Sequence, residues 1–380
     1  MRVCVDCRYI RERPSGVSAY VQALVDRVPA LGPDVEYVLW RHPLAKAPLS
    51  TAPNVREVVA PSNPNEPVSL LLPRLFGPTE GDVFHAPHNL LPFGVRSTAV
   101  VTVHDIMWLD EPHLAEGSAF LRLFRVPFFR AGILNALAKA RRILTVSQAS
   151  ADAMVRFRAD TRDRLVVTHN AADAGFQPAR DVEAARAQAA EVLGTDAPYF
   201  LLVGQNAPSK GHALALQAFA EAVRARPEAG ERLVVIQRLR AGRGLDRLAR
   251  ELGVRERLVV RPGVPFAGLV ALMQGATALL QPSLAEGFGM PALEAMASGC
   301  PVIASDIAPL VEVLGGAGIH VPAGEAGPLA AAMRRLGDEA GLREELRGRG
   351  VERARAFSWE ACAKTTLEVY REAARLGPLA

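Results

Sequence analysis

Two glutamates, Glu286 and Glu294, flank a glycine loop in the stretch PSLAEGFGMPALEAMASGCP. The apolar run Ala278–Leu280 ahead of them predicts a buried strand. Behind the loop, Pro291 can open a helix that Gly299 closes, which matches the preference for proline at the first helical position and glycine past the last. The expected order is therefore strand, glycine loop and helix, with Glu294 in the first turn.

This arrangement suits a phosphorylated ligand. A helix N-terminus carries unpaired N–H groups and a partial positive charge, so a phosphate can bind against it. One carboxylate before the loop and one after it fits a ligand with a diphosphate in the middle and a polyol at each end, which describes a nucleotide-sugar. The alternative interpretation is that Glu286 and Glu294 simply face solvent on an alanine-rich helix.

Histidines follow two other apolar runs. In open parallel sheets, ligands bind beyond the carboxyl ends of the strands. His104 follows the run Val100–Val103 and could donate a hydrogen bond to a leaving phosphate or a sugar hydroxyl, with Asp105 orienting it. The alternative is a histidine that satisfies a loop carbonyl. His85 and His88, after a further run, are expected to edge the same crevice, with a less defined role.

A lysine follows a third run. The segment GQNAPSKG comes after Phe200–Val203, and the Lys210 ammonium can reach a diphosphate as the leaving group gains charge. The spacing does not fit a Walker A loop, because no Gly-Lys-Ser/Thr follows at the required distance.

Apolar runs alternate with helical patterns in both halves of the chain, which predicts parallel sheets covered on both faces. Two such sets indicate two Rossmann-like domains, with a boundary near Asn170 to Pro178, where turn formers precede a new helical pattern. The predicted strands are Val3–Val5, Val35–Leu39, Val83–His85, Val100–Val103, Ile143–Val146, Leu165–Val167, Phe200–Val203, Leu233–Ile236, Leu258–Val260, Ala278–Leu280, Val302–Ala304 and Ile319–Val321.

Composition agrees with two domains. A chain of 380 residues with 49% hydrophobic content can bury two cores of ordinary size. The net charge of +4 is too small to indicate nucleic-acid binding, but it suits an anionic ligand or a loose contact with an anionic membrane. The longest uncharged span, Gly268 to Ala285, breaks into a helix and a strand, so no bilayer-spanning segment is expected.

The chain has four cysteines. Cys4 and Cys7 form a C-x-x-C pair, but no second pair completes a zinc site and no thioredoxin-like context surrounds them. Together with Cys300 and Cys362 they are expected to be ordinary buried thiols. Few cysteines and no secretory signal peptide favour a reducing cytoplasm.

The motifs together resemble those of the family 4 glycosyltransferases, which are retaining enzymes of the GT-B fold. The matches cover nearly the whole chain in the family's order: VDCRYI, HAPHNLLP, TVHD, RRILTVSQAS, EGFGMPALE, EAMASGCPVIAS and FSWE. The resemblance implies an α/β protein with two Rossmann-like parallel-sheet domains facing across a cleft. Residues 1–172 would form the acceptor-side domain, joined by a C-terminal helix over 359–380, and residues 173–358 the nucleotide-sugar-binding domain.

The resemblance also implies roles for single residues. Glu286 would hold a donor-sugar hydroxyl and Glu294 the ribose. Lys210, His104 and the backbone amides of Gly287, Phe288, Gly289 and Met290 would stabilise the departing diphosphate. No protein nucleophile is evident, and the acceptor hydroxyl would attack from the face that the diphosphate leaves. Neither a cofactor nor a metal is implied, since no Asp-x-Asp motif or cluster with metal-ligand spacing is seen.

The chain departs from the family at two places. Gln205 stands where the family usually has an arginine, five positions before the lysine, so the phosphate clamp is weaker or another cation such as Arg238 replaces it. Ser15 and Gly16 stand where the family has two glycines; Gly16 is kept as a donor contact, because one glycine can suffice for close approach to phosphate, and Ser15 is left open.

Other readings remain. Because Gln205 stands where the family has a cation, one alternative is a protein without catalytic activity, either a nucleotide-sugar sensor or a scaffold of a transferase complex. A dinucleotide oxidoreductase is disfavoured, because no G-x-G-x-x-G follows the first strand. Motifs such as HAPHNLLP look most like enzymes that build mannose- or rhamnose-containing polysaccharides, so a GDP-mannose-like donor is preferred over UDP-glucose. The acceptor could be a glycan, a lipid-linked molecule or a small molecule.

A possible membrane contact concerns the segment FLRLFRVPFFRAGILNALAKARR, from Phe120 to Arg142. Its mixture of bulky apolar residues and arginines is typical of interfacial helices. An ordinary helix pair, packed inward and split at Pro127, is the favoured alternative.

Overall fold

The chain divides into two units. The first consists of Met1–Pro112, Ser118–Asn170 and Ser358–Ala380, and the second of His113–Gly117 and Ala171–Phe357. The computed structural model describes residues 1–10, 16–45, 48–60, 62–71, 81–237 and 242–379.

A parallel sheet of seven strands in the order β3-β2-β1-β4-β5-β6-β7 forms the centre of the described first unit. Central strands are buried on both faces, which is why they read as continuous apolar runs in the sequence. The strands are β1 (Arg2–Asp6), β2 (Glu36–Arg41), β3 (Val55–Val59), β4 (Val83–Ala86), β5 (Thr98–Thr102), β6 (Arg142–Thr145) and β7 (Leu165–Val167).

Six of these strands confirm the sequence prediction, and β3 was missed. It lies at the edge of the sheet beside β2, with Val58 and Val59 exposed and a charged pair, Arg56 and Glu57, in its middle. An edge strand that buries little carries no continuous apolar signal.

Helices cover this sheet. Two of them begin at serines, Ser118 and Ser147, whose side chains accept the N–H group three residues further on and so satisfy a free helical donor. The described α-helices between β1 and β7 are α1 (Gly16–Leu31), α2 (Met107–Asp110), α3 (Pro112–Ala115), α4 (Ala119–Lys139) and α5 (Gln148–Phe157). Of these, α3 lies mostly in the segment His113–Gly117 of the second unit.

The second unit contains a parallel sheet of six strands in the order β10-β9-β8-β11-β12-β13. All six confirm the predicted strands, so the two Rossmann-like sheets expected from the sequence are present. In chain order the elements are α6 (Val182–Leu193), β8 (Tyr199–Val203), α7 (His212–Ala225), β9 (Arg232–Ile236), α8 (Gly242–Glu251), β10 (Leu258–Arg261), α9 (Phe266–Gly275), β11 (Ala278–Gln281), α10 (Met290–Ala297), β12 (Val302–Ser305), α11 (Ala308–Leu314), β13 (Ile319–Val321), α12 (Ala326–Asp338) and α13 (Ala340–Ala354).

The last helix, α14 (Trp359–Leu376), belongs to the first unit and packs on α1. Its Tyr370 hydroxyl lies 2.6 Å from His85 Nδ1, inside the first core. The four cysteines are buried free thiols, as expected. No helix among the described residues is both long and apolar enough to cross a membrane.

Candidate functional site

The loops after β8 and β11 meet, because these two strands are neighbours in a parallel sheet and end at the same edge. Lys210 closes a short 3-10 turn in the first loop, and Glu286 lies in the second. The backbone joins the two loops directly, since the Leu284 N–H donates to the Ser209 carbonyl at 2.7 Å.

Gly211 permits this close approach. Its φ of 65° lies in the left-handed region, and a Cβ atom at this position would lie 2.0 Å from the Pro282 carbonyl oxygen. Only a residue without a side chain fits between the two loops. The lysine loop therefore lies directly against the backbone that leads to Glu286.

Lys210 and Glu286 form an ion pair across these loops. Lys210 Nζ lies 2.6 Å from both Glu286 Oε1 and Oε2. The Glu286 side chain is 8% exposed and that of Lys210 is 30% exposed. The ammonium is therefore the more accessible member of the pair, and its charge is already balanced by the carboxylate.

Two further side chains orient Glu286. Gln281 Nε2 and Ser283 Oγ each donate to Glu286 Oε1 at 2.8 Å, and Gln281 Nε2 also lies 3.0 Å from Ser283 Oγ. Both supporting residues are buried. Oε1 thus accepts three hydrogen bonds and Oε2 one, so Oε2 has the greater remaining capacity to accept.

The glycine loop ends at α10. Gly289 is the residue before the helix, with φ 109°, and a Cβ there would lie 2.5 Å from Leu310 Cδ2. The N–H groups of Gly289 and Met290 make no hydrogen bond to any residue that the structure describes. They are available to an anion. Phe288 is buried, with its ring 5.7 Å from that of Phe357, so only its backbone can contact a ligand.

Helix α10 carries Glu294. The predicted helix from Pro291 to Gly299 is confirmed, but it begins at Met290, so Glu294 lies just beyond the first turn and not within it. Burial, reinforced by the negative charge of Asp173, raises the pKa of Glu294 to about 8. Its carboxyl group has no hydrogen-bond partner in the described part of the chain. A ligand hydroxyl would supply the missing contact.

The expected second cation of the phosphate clamp is absent at Gln205, which is exposed in the loop after β8. Burial, with Lys210 nearby, lowers the pKa of His212 to about 4, so this neighbour adds no charge at neutral pH. The proposed substitute, Arg238, lies outside the described residues, and so does Ser15. Gly16, kept as a donor contact, is the exposed first residue of α1.

His104 lies in the first unit, after β5. Its Nε2 lies 3.0 Å from the Pro87 carbonyl, and Asn89 Oδ1 accepts its backbone N–H at 2.6 Å. Burial, which outweighs the Pro87 hydrogen bond and acts with the charge of His88, lowers the pKa of His104 to about 4. The ring is then neutral, with its proton on Nε2 facing the carbonyl. Nδ1 can accept a hydrogen bond from a sugar hydroxyl, but it cannot donate one to a phosphate.

His85 does not edge a crevice, contrary to the sequence expectation. It lies within β4, fully buried, between the hydroxyls of Tyr370 at 2.6 Å and Thr102 at 2.8 Å. Burial lowers its pKa to about 3. His85 is therefore a neutral core residue that satisfies two buried hydroxyls.

His88 is buried too, with Nε2 2.9 Å from Asp6 Oδ2. Asp6 also accepts two hydrogen bonds from the Arg8 side chain, at 2.7 and 2.6 Å. Burial alone would raise the pKa of Asp6, but Arg8 and His88 hold it far below its ordinary value. His88 thus helps to hold a buried ion pair. Asp105, the expected partner of His104, accepts the Met107 N–H at 3.0 Å.

Comparison with known proteins identifies the family. A family model described as glycosyl transferases group 1 matches residues 184–355. The O-antigen chain mannosyltransferase B of Escherichia coli is 30% identical over 292 residues, which are 76% of this chain and 74% of the relative. The chain belongs to the group 1 glycosyltransferases. The resemblance to the family 4 glycosyltransferases is thereby confirmed.

Further relatives share the sequence or the fold. The D-inositol 3-phosphate glycosyltransferase of Nocardia farcinica is 32% identical over 289 residues, 73% of this chain but only 62% of the relative. Anabaena HepE, solved in complex with UDP-glucose, superposes with a TM-score of 0.72 and 17% identity over 98% of this chain and all of HepE. At that identity the likeness concerns the fold, which is GT-B.

The family match includes Gln205, Lys210, Glu286 and Glu294, and it leaves out His104 and Gly16 of the first unit. The supporting residues Gln281 and Ser283 of this glycosyltransferase were not predicted from the sequence. Their position directly after an apolar run, on the same strand end that leads to Glu286, was the available signal. Among the residues described, no group of three or more His, Cys, Asp or Glu side chains is placed to hold a metal ion.

Gly211→Ala tests whether the two loops must touch. We expect it to lower the free energy of unfolding by about 3 kcal/mol or more, because the new methyl group overlaps the Pro282 oxygen. Gly230→Ala is the matched control. Gly230 has a nearly equal φ of 69° but open space around its Cβ position, so only the backbone penalty of about 1–2 kcal/mol applies. Equal losses for both variants in urea unfolding would contradict the steric account.

Proposed function

We propose that this glycosyltransferase is a retaining enzyme that moves a hexose from a nucleoside-diphosphate sugar to a glycan, lipid-linked or small-molecule acceptor. The observation that carries this assignment is the grouping, in one unit, of the Lys210–Glu286 ion pair, the open N–H groups at the N-terminus of α10 and the carboxyl group of Glu294, which has no partner among the described residues. A cation, two amide donors and two carboxylates are what a diphosphate between two polyols requires.

Each group then has a task. The diphosphate binds at the N-terminus of α10, and Lys210 turns its ammonium towards the phosphate as negative charge builds on the leaving group. Glu286, held by Gln281 and Ser283, accepts a hydrogen bond from a donor-sugar hydroxyl at Oε2. Glu294 accepts hydrogen bonds from the ribose hydroxyls.

The hydrogen bonds of Glu286 support retention without a covalent intermediate. A carboxylate that accepts hydrogen bonds from an amide and a hydroxyl and pairs with an ammonium through both oxygens is a poor nucleophile, because attack would require it to give up these partners. The acceptor hydroxyl would instead attack from the face that the diphosphate leaves, and the leaving phosphate oxygen would take its proton. Charge balance would come from Lys210 and the helix end without a metal ion.

The donor is proposed to be GDP-mannose-like or UDP-glucose-like. The name of the E. coli mannosyltransferase supports the first, and the UDP-glucose complex of HepE supports the second. The expected contacts of His104 with a sugar hydroxyl and of Gly16 with the donor stay predictions, as does the cytoplasmic location.

A second candidate is a non-catalytic nucleotide-sugar sensor or scaffold. It is favoured by the combination of Gln205 in place of an arginine and a Lys210 whose charge Glu286 already balances. A site with so little net positive charge could bind a donor without driving off its diphosphate.

A thermal-shift screen across nucleoside diphosphates and their sugars tests the binding assignment. A ligand that binds only the folded state stabilises it by mass action, by about 2.7 kcal/mol at a hundred times its Kd. We expect one nucleotide to stand out, and no shift with any of them would refute donor binding.

Release of nucleoside diphosphate from the chosen donor, measured with EDTA present, then separates the enzyme from the non-catalytic sensor. An enzyme turns over undiminished by EDTA, whereas a sensor releases nothing even with acceptors added.

A further inference from the structure

The two loops that form the Lys210–Glu286 ion pair contain one charged residue each. In the sequence, residues 204–211 after β8 have Lys210 as their one charge, and residues 282–289 after β11 have Glu286. The ammonium and the carboxylate lie 2.6 Å apart, so the two charges cancel. Before a ligand binds, these loops therefore offer a diphosphate no net positive charge.

Glu286 occupies most of the Lys210 ammonium. Lys210 Nζ lies 2.6 Å from both carboxylate oxygens, which uses two of its three N–H donors. The carboxylate is the more buried partner, and a buried carboxylate that loses its cation is strongly destabilised. A phosphate that draws the ammonium away must therefore overcome the cost of leaving Glu286 without a positive charge.

The other partners of Glu286 determine which ligand can meet this cost. Gln281 and Ser283 donate to Oε1, so they do not replace the ammonium at Oε2. Among the described residues, the partner of Oε2 is Lys210. A hydroxyl of a donor hexose can donate to Oε2 while the ammonium turns to the phosphate. An intact nucleotide-sugar thus exchanges both partners together, whereas a nucleoside diphosphate supplies only the phosphate.

Sugar transfer reverses this exchange. When the hexose leaves with the acceptor, its hydroxyl is removed from Oε2, while Glu286 keeps its charge and its burial. The carboxylate then competes with the bound nucleoside diphosphate for the Lys210 ammonium. Competition of this kind weakens the product and not the donor, and it does so without any new contact to the product.

We propose that the Lys210–Glu286 ion pair makes the site discriminate against the nucleoside diphosphate product and assists its release. Glu286 takes back the ammonium once the hexose has gone, so the product loses a cation that the donor keeps. This inference rests on the proposed donor site and gives Glu286 a further task after sugar transfer. Product release limits the turnover of many enzymes, so the competition acts on a step that matters for rate.

Calorimetry on the full chain with two matched ligand pairs tests the proposal. The pairs are UDP with UDP-glucose and GDP with GDP-mannose, and the pair that binds is used for every variant. Glu286→Gln removes the negative charge but keeps the size of the side chain. We expect it to tighten binding of the nucleoside diphosphate by roughly threefold to tenfold, as one hydrogen bond gained would do. The nucleotide-sugar, which loses its carboxylate partner, should bind equally or more weakly.

A second variant shows whether the gain comes through Lys210. Lys210→Met/Glu286→Gln has neither charge, so no buried carboxylate is left without a cation. The nucleoside diphosphate should bind this variant no more tightly than it binds the wild type. A gain that persisted without the ammonium would mean that Glu286 repels the product directly, and the proposed competition would be wrong.

Glu294→Gln is the matched control, because it changes the other carboxyl group of the same site. The ribose that Glu294 is proposed to hold is present in both ligands of a pair. Its substitution should therefore alter both affinities alike and leave the ratio of the two Kd values as in the wild type. Glu286→Gln should instead lower the ratio of the nucleoside diphosphate Kd to the nucleotide-sugar Kd.

The two possible failures are distinguishable. If no ligand of either pair binds the wild type, the donor assignment is wrong and product discrimination is refuted with it. If both ligands of a pair bind and Glu286→Gln leaves the ratio of their Kd values unchanged, the donor assignment stands. The ion pair would then have no part in telling product from donor.

Discussion

Replacing Glu286 by alanine is expected to slow sugar transfer by about a hundredfold or more while leaving the affinity for free nucleoside diphosphate nearly unchanged. The free nucleotide lacks the hexose that Glu286 is proposed to hold, so its binding does not use the carboxylate. The substitution also releases Lys210, whose ammonium lies 2.6 Å from both carboxylate oxygens. Nucleotide affinity should therefore stay level or rise.

Calorimetry with the nucleoside diphosphate and a transfer assay at saturating donor separate these effects. Lys210→Ala is the internal comparison, since it breaks the same ion pair from the other side. It should cost more turnover than donor affinity, because the leaving diphosphate gains charge in the transition state. If Glu286→Ala weakened nucleotide binding as strongly as it slowed transfer, Glu286 would be a diphosphate-site residue and its assignment to the sugar would be wrong.

Most strands of this fold could be predicted from the sequence because of where they lie. A parallel strand covered on both faces is apolar along most of its length, as β4, β5, β8 and β11 are apart from His85, two threonines and Gln281. The edge strand β3 escapes this rule, since it meets water and tolerates Arg56 and Glu57 in its middle. For most strands the predicted boundaries differ from the observed ones by one or two residues, which does not alter the order of the elements.

The site was predictable only where its residues are close in sequence. The glycine loop, the helix start and Glu294 form one continuous motif, and α10 follows it as expected. The pairing of Lys210 with Glu286 joins residues 76 positions apart, and it depends on β8 lying next to β11 and on Gly211 allowing contact. A single sequence contains both residues but does not show that their two strands are neighbours in the sheet.

Burial explains why the predicted role of His85 was wrong and why that of His104 is narrower than predicted. His85 and His104 both lie near strand ends in the sequence, so the pattern treats them alike. In the structure His85 points into a core with two hydroxyl partners, and His104 keeps Nδ1 available while Nε2 is held by Pro87. Which ring nitrogen is occupied depends on contacts between loops, and that sets whether a neutral histidine can donate or only accept.

Donor binding by the wild type is expected to strengthen as the pH rises towards about 8 and then to level off, because burial, aided by Asp173, raises the pKa of Glu294 to about 8. Below that pH the carboxyl group is protonated in the free protein. Ribose hydroxyls donate to the ionised form, so binding releases a proton, and the affinity should change by up to about tenfold per pH unit. A nucleotide-sugar is the right probe, because it has no terminal phosphate to titrate in the same range.

Three variants isolate this effect in calorimetry between pH 6 and 9. Glu294→Ala should weaken donor binding by roughly tenfold to a hundredfold above pH 8, the loss of about 1.5–3 kcal/mol for hydrogen bonds to a charged group. Glu294→Gln should remove most of the pH dependence. Asp173→Asn should move the rise in affinity to lower pH, since it removes the nearby negative charge but keeps the oxygen that accepts the Gly175 N–H at 2.8 Å. A Glu294→Gln protein that followed the wild-type pH profile would show that another group titrates, and Glu294 would then lose its assignment to the ribose.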